Sequence, residues 1–222
     1  MKTKQIAVTA AIAVLGIAIL VSATTYWSEF LVMQENRIKP MEYNTAIGSP
    51  ILGSETATVT ILEYGDYQCE MCKHWFHNTR SQIIENYVDS GKVNLYFMDI
   101  PFLGRDSAKA ANASYCAEEQ GMYWEYHSVL YEHQEGIDNG WASPERLKSF
   151  AFSLGLNADQ FSECIDLQKY KQRVKLNSDK SVSQGVQSTP YFVITNSDGE
   201  QQKISGAQPY SCLLYTSPSP RD

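Results

Sequence analysis

One short stretch limits the possible folds more than any other: Tyr64-Gly65-Asp66-Tyr67-Gln68-Cys69-Glu70-Met71-Cys72-Lys73-His74-Trp75-Phe76. A β-branched run, Thr58-Val59-Thr60-Ile61-Leu62, leads into it. Residues 70–89 beyond it carry helical spacing, with Phe76, Ile83, Ile84 and Tyr87 on one face and Ser90-Gly91 as the stop. Two cysteines three apart on a first helical turn share a face, near enough to bridge. The unpaired N–H groups and the dipole at that helix end favour a thiolate. Strand, C-x-x-C and helix in that order predict a redox-active pair, Cys69 and Cys72.

The rest of the chain reads as a framework around this pair. Residues 92–99 alternate as a strand and stop at Pro101, so the first half is β-α-β and predicts a parallel, right-handed pair. Residues 51–55 read as a short edge strand. From about 104 to 185 there is no strand-like run, and the segment is expected to be an all-helical insert. Its helices are read at 108–120, 122–132, from Ser143-Pro144 to Gly155, from Asn157 with Gln160 three later, and at 170–183. The sheet resumes at 191–195, turns at Asp198-Gly199 and returns at 201–205.

The two ends read differently from the middle. Lys2 and Lys4 precede an apolar, small-residue run of 18 residues, from Ile6 to Ala23, and Glu29 and Glu35 follow it. That charge order keeps the N-terminus in the cytoplasm and sends the rest out, with residues 1–23 as a signal anchor or, with Val21-Ser22-Ala23 as cleavage site, a signal peptide. Residues 24–50 are read as a linker, and a domain from 51 to 211 follows. Residues 212–222 resemble a translated sequencing adapter, so Cys212 is expected to carry no biology and a C-terminal covering helix to be missing. Four cysteines then remain, Cys69, Cys72, Cys116 and Cys164, in a compartment where disulfides persist; spacing alone allows three connectivities. With 18 basic and 25 acidic residues the chain carries −7, and the basic footprint of a nucleic-acid binder is absent.

The order of elements resembles the DsbA-like branch of the thioredoxin superfamily. The likeness rests on residues 63–72, then Thr189-Pro190-Tyr191-Phe192-Val193-Ile194, then Ile204-Ser205-Gly206-Ala207-Gln208-Pro209. It implies an α/β, thioredoxin-like fold and an extracytoplasmic thiol:disulfide oxidoreductase without a cofactor. Its implied substrates are secreted or membrane proteins with cysteine thiols, and its implied partner is a membrane quinone-linked thiol oxidase. The resemblance makes Cys69 the exposed nucleophile, Cys72 the resolving cysteine and Pro190 a cis-proline preceded by Thr189. Glu63 stands where the family keeps a buried acid; as a strand-end carboxylate it would instead face solvent. Glu70-Met71 departs from the strong oxidants, and a carboxylate there should raise the Cys69 pKa, while Lys73 and His74 push the other way. Cys116 and Cys164 fall on insert helices expected to pack together, which predicts a structural disulfide.

Other readings of the same residues are weaker. Cys69, Cys72, His74 and His77 offer metal-ligand types, but four ligands on one and a half helical turns surround a tetrahedral ion poorly. Lys73 stands where c-type haem attachment needs histidine. A disulfide isomerase or reductase of the same fold stays open because Thr189 also occurs in isomerase-like relatives. A non-catalytic peptide-binding or chaperone module is disfavoured by the intact C-x-x-C. His127 and His133 are assigned to a surface helix and its end, with structural roles, and the Asn112-Ala113-Ser114 sequon falls mid-helix.

Overall fold

The computed structural model describes Trp27 and residues 48–211. The expected anchor or signal at 1–23, the tail at 212–222 with any covering helix, and most of the 24–50 linker lie outside the described residues. Among the described residues no helix is long and apolar enough to cross a membrane. Trp27 belongs to a separate unit, Met1–Tyr43; everything below concerns the other, Asn44–Asp222.

Strand β1, Val59–Gly65, is buried over its last five residues, Glu63 among them, as befits a central strand paired on both sides. It pairs in parallel with β2, Val93–Asp99, so the β-α-β reading holds. On its other side β1 pairs antiparallel with β3, Tyr191–Thr195, which pairs antiparallel with β4, Gln201–Ser205. The sheet order is β2-β1-β3-β4. The edge strand expected at 51–55 shrinks to one antiparallel bridge, Leu52 to Leu95, because Gly53 takes a positive φ of 106° and turns the chain off the sheet. Ser49 donates its N–H to Phe97 O at 2.8 Å and accepts the Phe97 N–H at 2.8 Å, so the packed unit reaches back at least to Ser49.

Helix α1 follows the C-x-x-C turn. It is α-helical over Glu70–Trp75 and Ser81–Ile83 and π-helical over Phe76–Arg80 and Ile84–Val88. These wide turns correct the inward face read from an α period. Phe76, Ile84 and Tyr87 are only partly buried, whereas Trp75, Arg80, Ile83 and Val88 are buried. Trp75 and Arg80 are five apart, as are Ile83 and Val88, which matches the i→i+5 repeat. Trp75, Ile83 and Val88 pack with Ile61, Leu95, Phe192, Ile194 and Ile204 into one core.

The insert is helical throughout: α2, Arg105–Glu118; α3, Tyr123–Glu132; α4, Pro144–Ser153; α5, Ala158–Asp166; and α6, Lys171–Ser183. Two starts follow their sequence signals closely. Ser143 caps α4 by accepting the Arg146 N–H at 3.4 Å, and Asn157 caps α5 by accepting the Gln160 N–H at 2.9 Å. Cys116 of α2 and Cys164 of α5 are joined by a disulfide. Asn112 is buried in α2, where its Oδ1 accepts the Tyr170 N–H at 2.9 Å, so its sequon is closed to a glycan. The second core joins the insert to the thiol turn through Tyr67, Cys72, Phe97, Tyr126, Tyr131 and Trp141.

Candidate active site

The site begins where β1 stops. At Gly65 a Cβ would strike the Phe97 ring, so only glycine lets the chain pass this close before it turns. Asp66 then builds the turn. Its Oδ1 accepts the Gln68 N–H at 2.8 Å and the Ser107 hydroxyl at 2.6 Å, and its Oδ2 accepts the N–H groups of Phe102 and Leu103 at 3.0 Å each. Burial pushes the Asp66 carboxyl pKa up, and these hydrogen bonds oppose the shift. Gln68 locks the insert to the same turn: its Oε1 accepts the Asp138 N–H at 2.6 Å, and its Nε2 donates to Ser107 Oγ at 2.9 Å. Sequence reasoning missed both residues. The Asp-x-Gln order was a usable sign, because aspartate two residues ahead of an N–H it can accept is an Asx turn.

Cys69 is the N-cap of α1, with φ −77° and ψ 117°. Its Sγ accepts the Cys72 N–H at 3.3 Å and lies 3.4 Å from Thr189 O. The Thr189–Pro190 peptide is cis. Cys69, read as the exposed sulfur, is only 7% exposed because the Thr189 carbonyl stands 3.4 Å from it; Cys72 is fully buried, and the two thiols are unbridged.

The two sulfurs are electrostatically unequal. A hydrogen bond from the Cys72 thiol does most to lower the Cys69 pKa, to about 6; burial opposes it, and Thr189 and the N–H groups of Cys72 and Met71 assist. Burial pushes the Cys72 thiol well above its ordinary value, helped by Cys69 and the charge of Glu63. The weakening expected from Glu70 therefore does not decide the Cys69 thiolate: Glu70 is exposed, and the hydrogen bonds at the helix end prevail.

The sign of the pH dependence follows. Cys69 has a depressed pKa when folded, so its thiolate stabilises the reduced protein above the ordinary thiol pKa, and that stabilisation disappears as pH falls through about 6. Alkylation of Cys69 is expected to reach half its maximal rate near pH 6, followed by thiolate absorbance. A midpoint above 8 would contradict the geometry.

Glu63 is buried rather than solvent-facing, 1% exposed. Its Oε2 accepts the Trp75 indole N–H at 3.0 Å, and its Oε1 has no partner among the described residues. Burial raises its pKa to about 7 against the opposing charge of Arg80 and the Trp75 hydrogen bond. His127 is also fully buried, which corrects its assignment to a surface: α3 turns it toward the sheet, with Nδ1 3.0 Å from the Tyr67 hydroxyl and its ring against Phe97. His133 is exposed, as read. His74 Nδ1 lies 3.2 Å from Asn78 Nδ2, and among the described residues no three His, Cys, Asp or Glu side chains gather to hold a metal.

A thiolate-forming sulfur at a helix start, a buried second thiol three residues on and a peptide backbone facing the first are the parts of a thiol-exchange centre. The thioredoxin family model matches residues 45–208, and the chain belongs to that family. It is similar to disulfide bond formation protein D of Bacillus subtilis, with 30% identity over 152 residues that cover 67% of this chain and 68% of the relative. A probable disulfide bond formation protein D of Bacillus cereus is 26% identical over 181 residues, 80% of this chain and 83% of the relative. Among solved structures, oxidised BdbD from Bacillus subtilis matches with a TM-score of 0.68 at 28% identity, covering 78% of this chain and 91% of the other. Wolbachia pipientis alpha-DsbA1, at 24% identity and a TM-score of 0.67 over 74% of this chain and 86% of its own, shares the fold. Together with the thiol pair, these likenesses make the chain a DsbA-like thiol:disulfide oxidoreductase.

Proposed function

We propose that this domain works outside the cytoplasm and forms or exchanges disulfides in secreted or membrane proteins that carry cysteine thiols. The observation that carries this reading is the inequality of the pair, an easily ionised Cys69 at the helix start and a fully buried Cys72 three residues on. In the oxidising direction a substrate thiolate attacks Cys69 Sγ of the bridged pair. The 69–72 bond breaks, a mixed disulfide forms on Cys69, and Cys72 leaves with the electron pair and takes a proton. A second substrate thiolate attacks the substrate sulfur of that mixed disulfide and expels Cys69 as a thiolate, a good leaving group because its pKa is low. The substrate is oxidised and the pair is left reduced.

In this reading Thr189 and Pro190 line the approach, with the Thr189 backbone as an edge for an extended substrate segment. Glu63 exchanges the Cys72 proton, and a membrane quinone-linked thiol oxidase accepts the electrons. Residues 1–23 export the domain or anchor it; protease added to intact cells is expected to remove it, and complete protection would refute the location.

The equilibrium potential of the 69/72 pair against glutathione tests the oxidising direction. A value toward that of DsbA, about −120 mV, is expected; one near thioredoxin, about −270 mV, would make the domain a reductant.

A further inference from the structure

Asp99, the last residue of β2, is an acid that the exchange chemistry does not use, and it is 1% exposed. The first and last helices of the insert each send it a donor. The Tyr115 hydroxyl of α2 donates to its Oδ1, and so does Asn177 Nδ2 of α6, at 2.8 Å. Asn177 Nδ2 also lies 2.7 Å from the Tyr115 oxygen, so the three side chains close a triangle. Tyr115 and Asn177 are fully buried. Both donors therefore fall on one carboxyl oxygen. The other, Oδ2, has no partner among the described residues, and neither has the Asn177 amide oxygen.

Two acceptors without donors, on side chains already joined through their other ends, are the two halves of an acid–amide pair. A carboxylic acid and a primary amide satisfy one another: the amide N–H donates to the acid carbonyl, and the acid O–H donates to the amide oxygen. The first of these bonds is present at 2.8 Å, and a proton on Asp99 Oδ2 supplies the second. As an anion, Asp99 would leave a charged oxygen and an amide oxygen both buried without donors, which is costly. The electrostatics agree. Burial raises the Asp99 pKa to about 6, against the donors Tyr115 and Asn177 and the charge of Arg173. Arg173 belongs to α6, with its guanidinium 3.9 Å from the Tyr115 ring centroid and its Nη1 2.9 Å from Glu118 Oε2. Tyr67 and Tyr123 also feel the Asp99 charge; burial pushes both phenols upward and keeps them neutral.

We propose that Asp99 and Asn177 form an acid–amide clasp: a proton on Asp99 Oδ2 locks α6, and through Tyr115 α2, onto the end of β2, and loss of that proton loosens the insert. The clasp bears on the site through the segment that follows it. The Ile100 N–H donates to Gly65 O at 2.7 Å, and the Phe102 and Leu103 N–H groups hold the Asp66 carboxylate that builds the thiol turn. Linkage fixes the sign. Asp99 binds its proton more tightly with the insert docked than with it open, where water restores an ordinary carboxyl. The clasp is therefore fully closed below the ordinary pKa of 3.8 and is lost as pH rises through about 6.

Hydrogen exchange read segment by segment from about pH 4 to about pH 7, corrected for the intrinsic rate, tests the clasp. Opening of residues 105–118 and 171–183 is expected to rise about fiftyfold over that range, as a carboxyl moved from 3.8 to about 6 requires. In Asp99→Asn an amide N–H stands where the acid proton was, and opening is expected to stay at its low-pH level throughout. An opening that rises in Asp99→Asn as it does in the wild type would overturn the proposal. Carbon-13 NMR of the aspartate carboxyl carbons decides the matter if that variant does not fold. The Asp99 signal is expected to titrate near pH 6, and Tyr115→Phe, which removes a donor to the anion, is expected to move it to higher pH. A signal that titrates near 3.8, or one that Tyr115→Phe leaves in place, would reduce the three side chains to packing.

Discussion

Replacing Cys72 with alanine is expected to turn Cys69 into a trap. Cys69 would still form mixed disulfides, but no internal thiol would remain to break them. Adducts should accumulate on non-reducing gels and vanish with dithiothreitol, while catalysed dithiol oxidation falls to the uncatalysed background. The substitution has a second consequence that runs the other way. The Cys72 thiol makes the hydrogen bond that most lowers the Cys69 pKa, so its loss raises that pKa. Adducts should therefore form several-fold more slowly at pH 7 than the wild-type reacts, and the deficit should close as pH rises past the ordinary thiol value. Mass mapping that finds no adduct on Cys69, at either pH, would refute the assignment of the two sulfurs.

The paired substitution of Cys116 and Cys164 by alanine is expected to cost about 4 kcal/mol of folding stability. The bridge closes 48 residues of chain, and the entropy it removes from the unfolded ensemble corresponds to about that value. A domain of this size has only about 5–15 kcal/mol in total, so the midpoint of urea unfolding should fall steeply. Activity at low temperature should survive, because the thiol turn is held by Asp66 and Gln68 instead. An unchanged midpoint would mean that the unfolded chain is already ordered between α2 and α5. It would leave the bridge without a stabilising role.

Much of the fold was legible because it depends on short-range order. The β1 run, the alternation at 92–99, the caps Ser143 and Asn157 and the Asp198-Gly199 turn each need only a few neighbours to act. At α1 the period itself misled. Two π turns moved Phe76, Ile84 and Tyr87 partly outward and brought Arg80 in, and no α-based reading of spacing contains that rotation.

The sequence alone determined that a thiol pair sits between a strand and a helix start, because cysteine spacing and the helix dipole are local. It also determined the helical insert and the thioredoxin-like order of strands. Tertiary structure decided how that pair is wired. Glu63 could have faced water until Trp75, twelve residues on, covered it and donated to it. His127 became a core residue only because Tyr67, sixty residues earlier in the chain, packs directly against it. Asp66 and Gln68 gained their roles from Ser107 and Asp138, which only folding brings to the turn. Burial and charge are properties of such distant contacts, and those contacts set the balance between the two sulfurs.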